Sequence, residues 1–72
     1  MDKFPATQAK RVFNALIRIG WNIKRQHGGS HRILFKYGYP DYTFAYHDSK
    51  ELSPITVKRI AKRTGLKPED LS

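Results

Sequence analysis

The 72-residue sequence contains no cysteine, so neither a disulfide framework nor a thiolate zinc site holds it together, and its stability must come from packing alone. No apolar run approaches the roughly 20 residues of a membrane span, and the opening Met1-Asp2-Lys3-Phe4-Pro5 lacks the apolar segment of a secretory leader. A cytoplasmic protein is the expectation. Acidic side chains are scarce: 6 Asp plus Glu stand against 14 Lys plus Arg, a formal net charge of +8 spread along the whole chain. Such a field attracts polyanions, either nucleic acid or an acidic protein. Internal repeats, low-complexity tracts and linkers are also missing, and a chain this short leaves no room for a second core. A single domain spanning residues 1–72 follows.

The apolar residues that are present fall into two periodicities. Ala9, Val12, Phe13, Leu16 and Ile17 recur at the three-and-four spacing of an amphipathic helix, which the pattern predicts over about Ala6 to Ile19. Pro5 or Thr7 can start it, and Gly20 is placed to end it in a left-handed cap. Beyond Gly20 come short segments rich in aromatic and β-branched residues, broken by His27-Gly28-Gly29 and by Tyr37-Gly38-Tyr39-Pro40-Asp41. They predict strands over about Trp21 to Gln26, Ser30 to Lys36 and Tyr42 to His47, connected as an antiparallel meander. Ser53-Pro54 then reads as the start of a second helix, with Ile55, Ile60 and Ala61 on its inner face, Gly65 as its stop, and Leu66 and Leu71 packing back. Each helix must bury its stripe, so the expected fold is α+β: helix, three-stranded antiparallel sheet, helix, with both helices on one sheet face and the other face open.

The chemistry-bearing motif is Gly28-Gly29-Ser30-His31, which opens the apolar run Ile33-Leu34-Phe35. Histidine as a residue type can both take and give a proton near neutral pH. Strict alternation puts His31 on the side of Ile33 and Phe35, which would point it inward; a bulge at Gly28 and Gly29 would reverse the sense, and the unbroken run Ile33-Leu34-Phe35 leaves open which face is buried. His31 is therefore either a packed histidine or an exposed acid–base group. Ser30 is adjacent on the strand and points to the opposite face, so it cannot share a proton with His31 and reads instead as a donor to phosphate or loop backbone. His27 and His47 have no carboxylate or cysteine spaced with them as a metal site, so no metal is expected. His27 reads as a loop residue and His47 as the end of a strand.

In their order and spacing several features resemble the HicA family of bacterial toxins, small ribonucleases with a fold like that of double-stranded RNA-binding domains. They are a first helix running into Gly20-Trp21, Arg25-Gln26 leading to Gly29-Ser30-His31, a third strand ending in His47 before Lys50-Glu51-Leu52, Thr56-Val57-Lys58-Arg59-Ile60 through Gly65-Leu66, and Pro68-Glu69-Asp70-Leu71. The resemblance implies that His31 occupies the position of the active-site histidine. It also implies that the activity is cleavage of messenger RNA, and that a HicB-type antitoxin is the partner. Ala45 stands where the family commonly has a proline, and Pro54 or Ile55 where it often has a glycine.

Hydrolysis of RNA without a metal or other cofactor needs a base for the 2′-hydroxyl, an acid for the departing 5′-oxygen, and cations for the developing phosphorane charge. His31 supplies the base or the acid, and Lys24, Arg25, Arg32 and Lys36, with Ser30, are the candidate RNA contacts on or beside the same strands. The alternative is a non-catalytic RNA-binding module that grips phosphates through Lys58, Arg59, Lys62 and Arg63. A helix-turn-helix reader of DNA is disfavoured, because the six residues after Leu66 are too few for a recognition helix. The basic face also suits docking of an acidic antitoxin, which would cover His31 directly.

Overall fold

The structure, a computed structural model, describes residues 3–72; Met1 and Asp2 lie outside the described residues. Its elements in chain order are β1 (Thr7–Gln8), α1 (Ala9–Arg18), β2 (Asn22–His27), β3 (His31–Phe35), β4 (Tyr42–Ala45), β5 (Glu51–Leu52), α2 (Pro54–Thr64) and a 3₁₀ turn (Pro68–Leu71). The strands β2, β3 and β4 form the antiparallel meander, with β3 in the centre. Among the described residues, no helix is long and apolar enough to cross a membrane.

Helix α1 starts three residues later than its periodicity predicts, and the reason is a second, smaller ladder. Thr7 and Gln8 pair with Leu52 and Glu51, which holds them extended. No side chain caps the helix at Gln8. Two of its unpaired N–H groups are met instead by backbone, Ala9 donating to the carbonyl of Lys50 (2.7 Å) and Lys10 to that of Asp48 (3.1 Å). At the other end the Gly20 N–H bonds the Ile17 carbonyl and the Trp21 N–H reaches back to Leu16 (3.0 Å), with Gly20 at φ 110°. This is a Schellman arrangement, and glycine adopts its positive φ without a Cβ penalty. It swings Trp21 into the core, where its Nε1 donates to the carbonyl of Thr64 (3.1 Å) and so ties the start of the sheet to the end of α2.

Helix α2 begins as expected, the Ser53 Oγ accepting from the Thr56 N–H (3.2 Å) and Pro54 occupying the first helical position. Its buried stripe is Val57, Ile60, Ala61 and Thr64. Ile55 does not belong to it and is 71% exposed, because a position two residues before Val57 projects from the far side of a helix. Gly65 ends α2 in the left-handed conformation, and Leu66 and Leu71 pack back into the core. The 3₁₀ turn is held under α1 by two guanidinium groups, Arg11 donating to the Leu71 carbonyl and Arg18 to that of Asp70, each at 2.6 Å.

Both helices lie on the face of the sheet that carries Leu34 and Phe44, which are fully buried. Phe13 of α1 packs against Phe44 with ring centroids 5.7 Å apart, and Trp21 meets Tyr39 and Tyr42 edge-on. Tyr42, wedged between sheet and α2, has its phenol pushed up to about 12, first by burial and then by the neighbouring Tyr46, against an opposing pull from Arg63. Among the described residues, no element covers the other face of the sheet.

Candidate active site on the open sheet face

Directly opposed residues in an antiparallel ladder share a face, so the register decides what the open face displays. His31 pairs with His27 on β2 and with Ala45 on β4; Ile33 pairs with Arg25 and Thr43; Phe35 pairs with Asn22. The covered set is Arg32 with Phe44, and Leu34 with Tyr42. His31 is thus on the side of Ile33 and Phe35, as alternation requires, but that side is the open one and Leu34 marks the buried one. The inward orientation that alternation suggested is corrected by the burial of Leu34: of the run Ile33-Leu34-Phe35, the middle residue is the one that packs, and Phe35 is exposed.

A bulge does occur, but on β2 and not at the glycines. Between Ile23 and Arg25 the register advances two residues while β3 advances one, leaving Lys24 as the extra residue. Without it Arg25 and His27 would face the helices; with it they stand beside Ile33 and His31 on the open face. All six residues of β2 are exposed, since this strand lies past the edge of the helical layer.

The hairpin that joins β2 to β3 has the three-residue loop Gly28-Gly29-Ser30, with Gly28 at φ 60°. Its last rung is His27 and His31, so their Cβ atoms lie about 4.5–5.5 Å apart on one face. His27, expected in a loop, is the last residue of β2. Its signal was positional: residues that flank a three-residue hairpin loop become cross-strand neighbours. His47, expected at the end of the third strand, lies beyond Ala45 in a turn where its carbonyl accepts from Lys50 N (2.9 Å). The chain leaves the sheet there to bring the carbonyls of Asp48 and Lys50 to the start of α1.

The predicted cations do not converge on one place. Arg25 shares the open face with the histidines. Lys24 reaches past β3 to an ion pair with Asp41 at 2.8 Å, at the far end of the sheet from the hairpin loop. Lys36 runs over the Tyr39 ring, its Nζ 5.2 Å from the centroid. Arg32 faces the helices: its guanidinium lies 4.3 Å above the Phe13 ring and donates to Asp48 at 3.0 Å, and its side chain is only 11% exposed. The Arg32 Nη1 is buried with no hydrogen-bond partner among the described residues. Ser30 sits half-buried in the hairpin loop next to His31. Lys58, Arg59, Lys62 and Arg63 are all exposed on α2, behind the sheet, so an RNA strand touching both them and His31 has to pass around an edge of the molecule.

Among the described residues, no group of three His, Asp or Glu side chains gathers in a way that could hold a metal ion. The family model described as HicA toxin of bacterial toxin-antitoxin matches residues 9–66 of the 72, from the first residue of α1 to the residue after Gly65. No curated protein matches the chain.

Proposed function

The chain belongs to the HicA toxin family of bacterial toxin–antitoxin systems, and from that premise we propose that it is a metal-independent endoribonuclease that cleaves messenger RNA and so blocks translation. In this reading His31 is a general acid or base, a HicB-type antitoxin restrains the toxin, and both act in the cytoplasm. The observation that carries the proposal is the exposure of His31 on a sheet face that no helix covers, one rung from Arg25, in a chain of net charge +8. A phosphodiester laid along that face meets a proton-transfer group and a cation at once.

The test is cleavage of an end-labelled messenger RNA by purified protein in EDTA, beside a His31→Ala variant shown by circular dichroism to be folded. Cutting by the parent and a loss of about 10²–10⁴-fold in the variant supports the proposal. The second reading, RNA binding without cleavage, is favoured by the exposed Lys58, Arg59, Lys62 and Arg63 on α2. It expects intact RNA in both lanes with an equal gel shift.

A further inference from the structure

We propose that His27 is a second catalytic residue, and that His27 and His31 divide the roles of general base and general acid across one phosphodiester. This rests on the ribonuclease reading and deepens it. Three observations carry it. The two histidines are directly opposed in the β2–β3 ladder, so they stand side by side on one face. The bulge at Lys24 is what turns His27 to that face, since regular pairing from Ile23 onward would have sent it to the other. Both side chains are exposed, and the loop between them is Gly28-Gly29-Ser30, where a Cβ on either glycine would meet nothing within 4 Å. The space above the pair is open to a sugar–phosphate backbone.

The step balances with protein groups alone. One imidazole takes the proton of the ribose 2′-hydroxyl as its oxygen bonds to phosphorus. The other, as imidazolium, gives its proton to the 5′-oxygen as the phosphorus–O5′ bond breaks. The products are a 2′,3′-cyclic phosphate and a 5′-hydroxyl, and the enzyme regains its starting state by returning one proton through water. Arg25 is the charged group nearest the pair on this face, placed to oppose the charge that develops on the non-bridging oxygens. Ala45, on the other side of His31, adds no charge, and the Lys24–Asp41 pair lies at the opposite end of the sheet.

The experiment compares the parent, His27→Gln and His31→Gln on a single-stranded RNA in EDTA across pH, with a matching substrate whose leaving 5′-oxygen is replaced by sulfur. Sulfur leaves without protonation, so this substrate restores whichever variant has lost the acid. The expected result is a bell-shaped profile of kcat/KM for the parent and a fall in kcat of about 10²–10⁴-fold for each variant. One limb of the profile disappears in each variant, KM changes little, and one variant alone is rescued by the sulfur substrate. Binding of a 2′-deoxy oligonucleotide, followed by NMR, should raise the titration midpoints of both imidazoles, which a merely structural His27 would not do. Parent-like turnover by His27→Gln with both limbs intact, while His31→Gln is inactive, overturns the role of His27 and leaves the ribonuclease reading standing. A parent that cuts neither substrate overturns both.

Discussion

Arg32 and His31 are neighbours in sequence and belong to opposite worlds. The side chain of Arg32 is clamped between Phe13 and Asp48 on the helix-covered face; that of His31 looks out from a face with no covering layer. Along β3 the covered side is Arg32 and Leu34, and the open side is His31, Ile33 and Phe35. Two features leave the open face free of any structural duty. The core of Trp21, Leu34, Phe44, Val57 and Ile60 closes without using any residue of the hairpin tip, and the tip itself is fixed by backbone pairing. The core residues and the proposed site residue His31 therefore alternate along the same strand.

That separation can be broken most forcefully at β4, where Thr43 and Phe44 face opposite ways. Phe44→Ala removes a fully buried ring and should cost about 3–5 kcal/mol, enough to unfold much of a domain this small, whereas Thr43→Ala should stay within about 0.5 kcal/mol. Urea unfolding followed by fluorescence of Trp21 measures both; equal losses would mean that the two faces are not energetically distinct.

The arginines sharpen the contrast at a smaller scale. Arg32→Ala loses the contact with Phe13 and the Asp48 pair and should destabilise by about 1–2 kcal/mol. Arg25→Ala should leave the melting curve almost unchanged while flattening the logarithmic salt dependence of single-stranded RNA binding by about 0.7. A variant of Arg25 that melts early and binds normally would assign it to the scaffold.

The two-helix, three-strand plan was legible because its signals are local: the helical stripe of α1, Ser53-Pro54, and the glycines at 20 and 65 each act within a few residues. The pairing of Thr7–Gln8 with Glu51–Leu52 was not, since two residues carry no periodicity and their partners are more than forty positions away. At the candidate site, the Gly28-Gly29-Ser30-His31 motif marks the hairpin loop and the first residue of β3. The facing of His31 was not legible, because Ile33, Leu34 and Phe35 are equally apolar and only the tertiary position of Leu34 decides which side is buried. Arg32 looked like a phosphate ligand on charge alone; its stacking on Phe13 depends on how α1 crosses the sheet.

A further effect, confined to alkaline pH, concerns Tyr42 on the covered face. Its phenol is held protonated in the fold up to about pH 12, while in the unfolded chain it ionises near its ordinary 10. Above pH 10 the unfolded state therefore binds fewer protons, and stability falls as pH rises toward 12; below pH 10 the contribution is fully present. In Tyr42→Phe this part of the alkaline decline should disappear, a difference read from paired thermal melts across that window. An identical decline in both proteins would show that Tyr42 is not held from solvent.

The extra residue at Lys24 has one more consequence. β2 is an edge strand whose outer side is free, the kind of margin along which identical chains can stack into fibrils. The bulged Lys24 in its middle breaks the regular spacing of N–H and carbonyl groups, and the exposed Arg25 beside it adds a charge that repels a second copy of the strand. The kink that turns Arg25 and His27 to the open face is therefore also a safeguard against self-assembly.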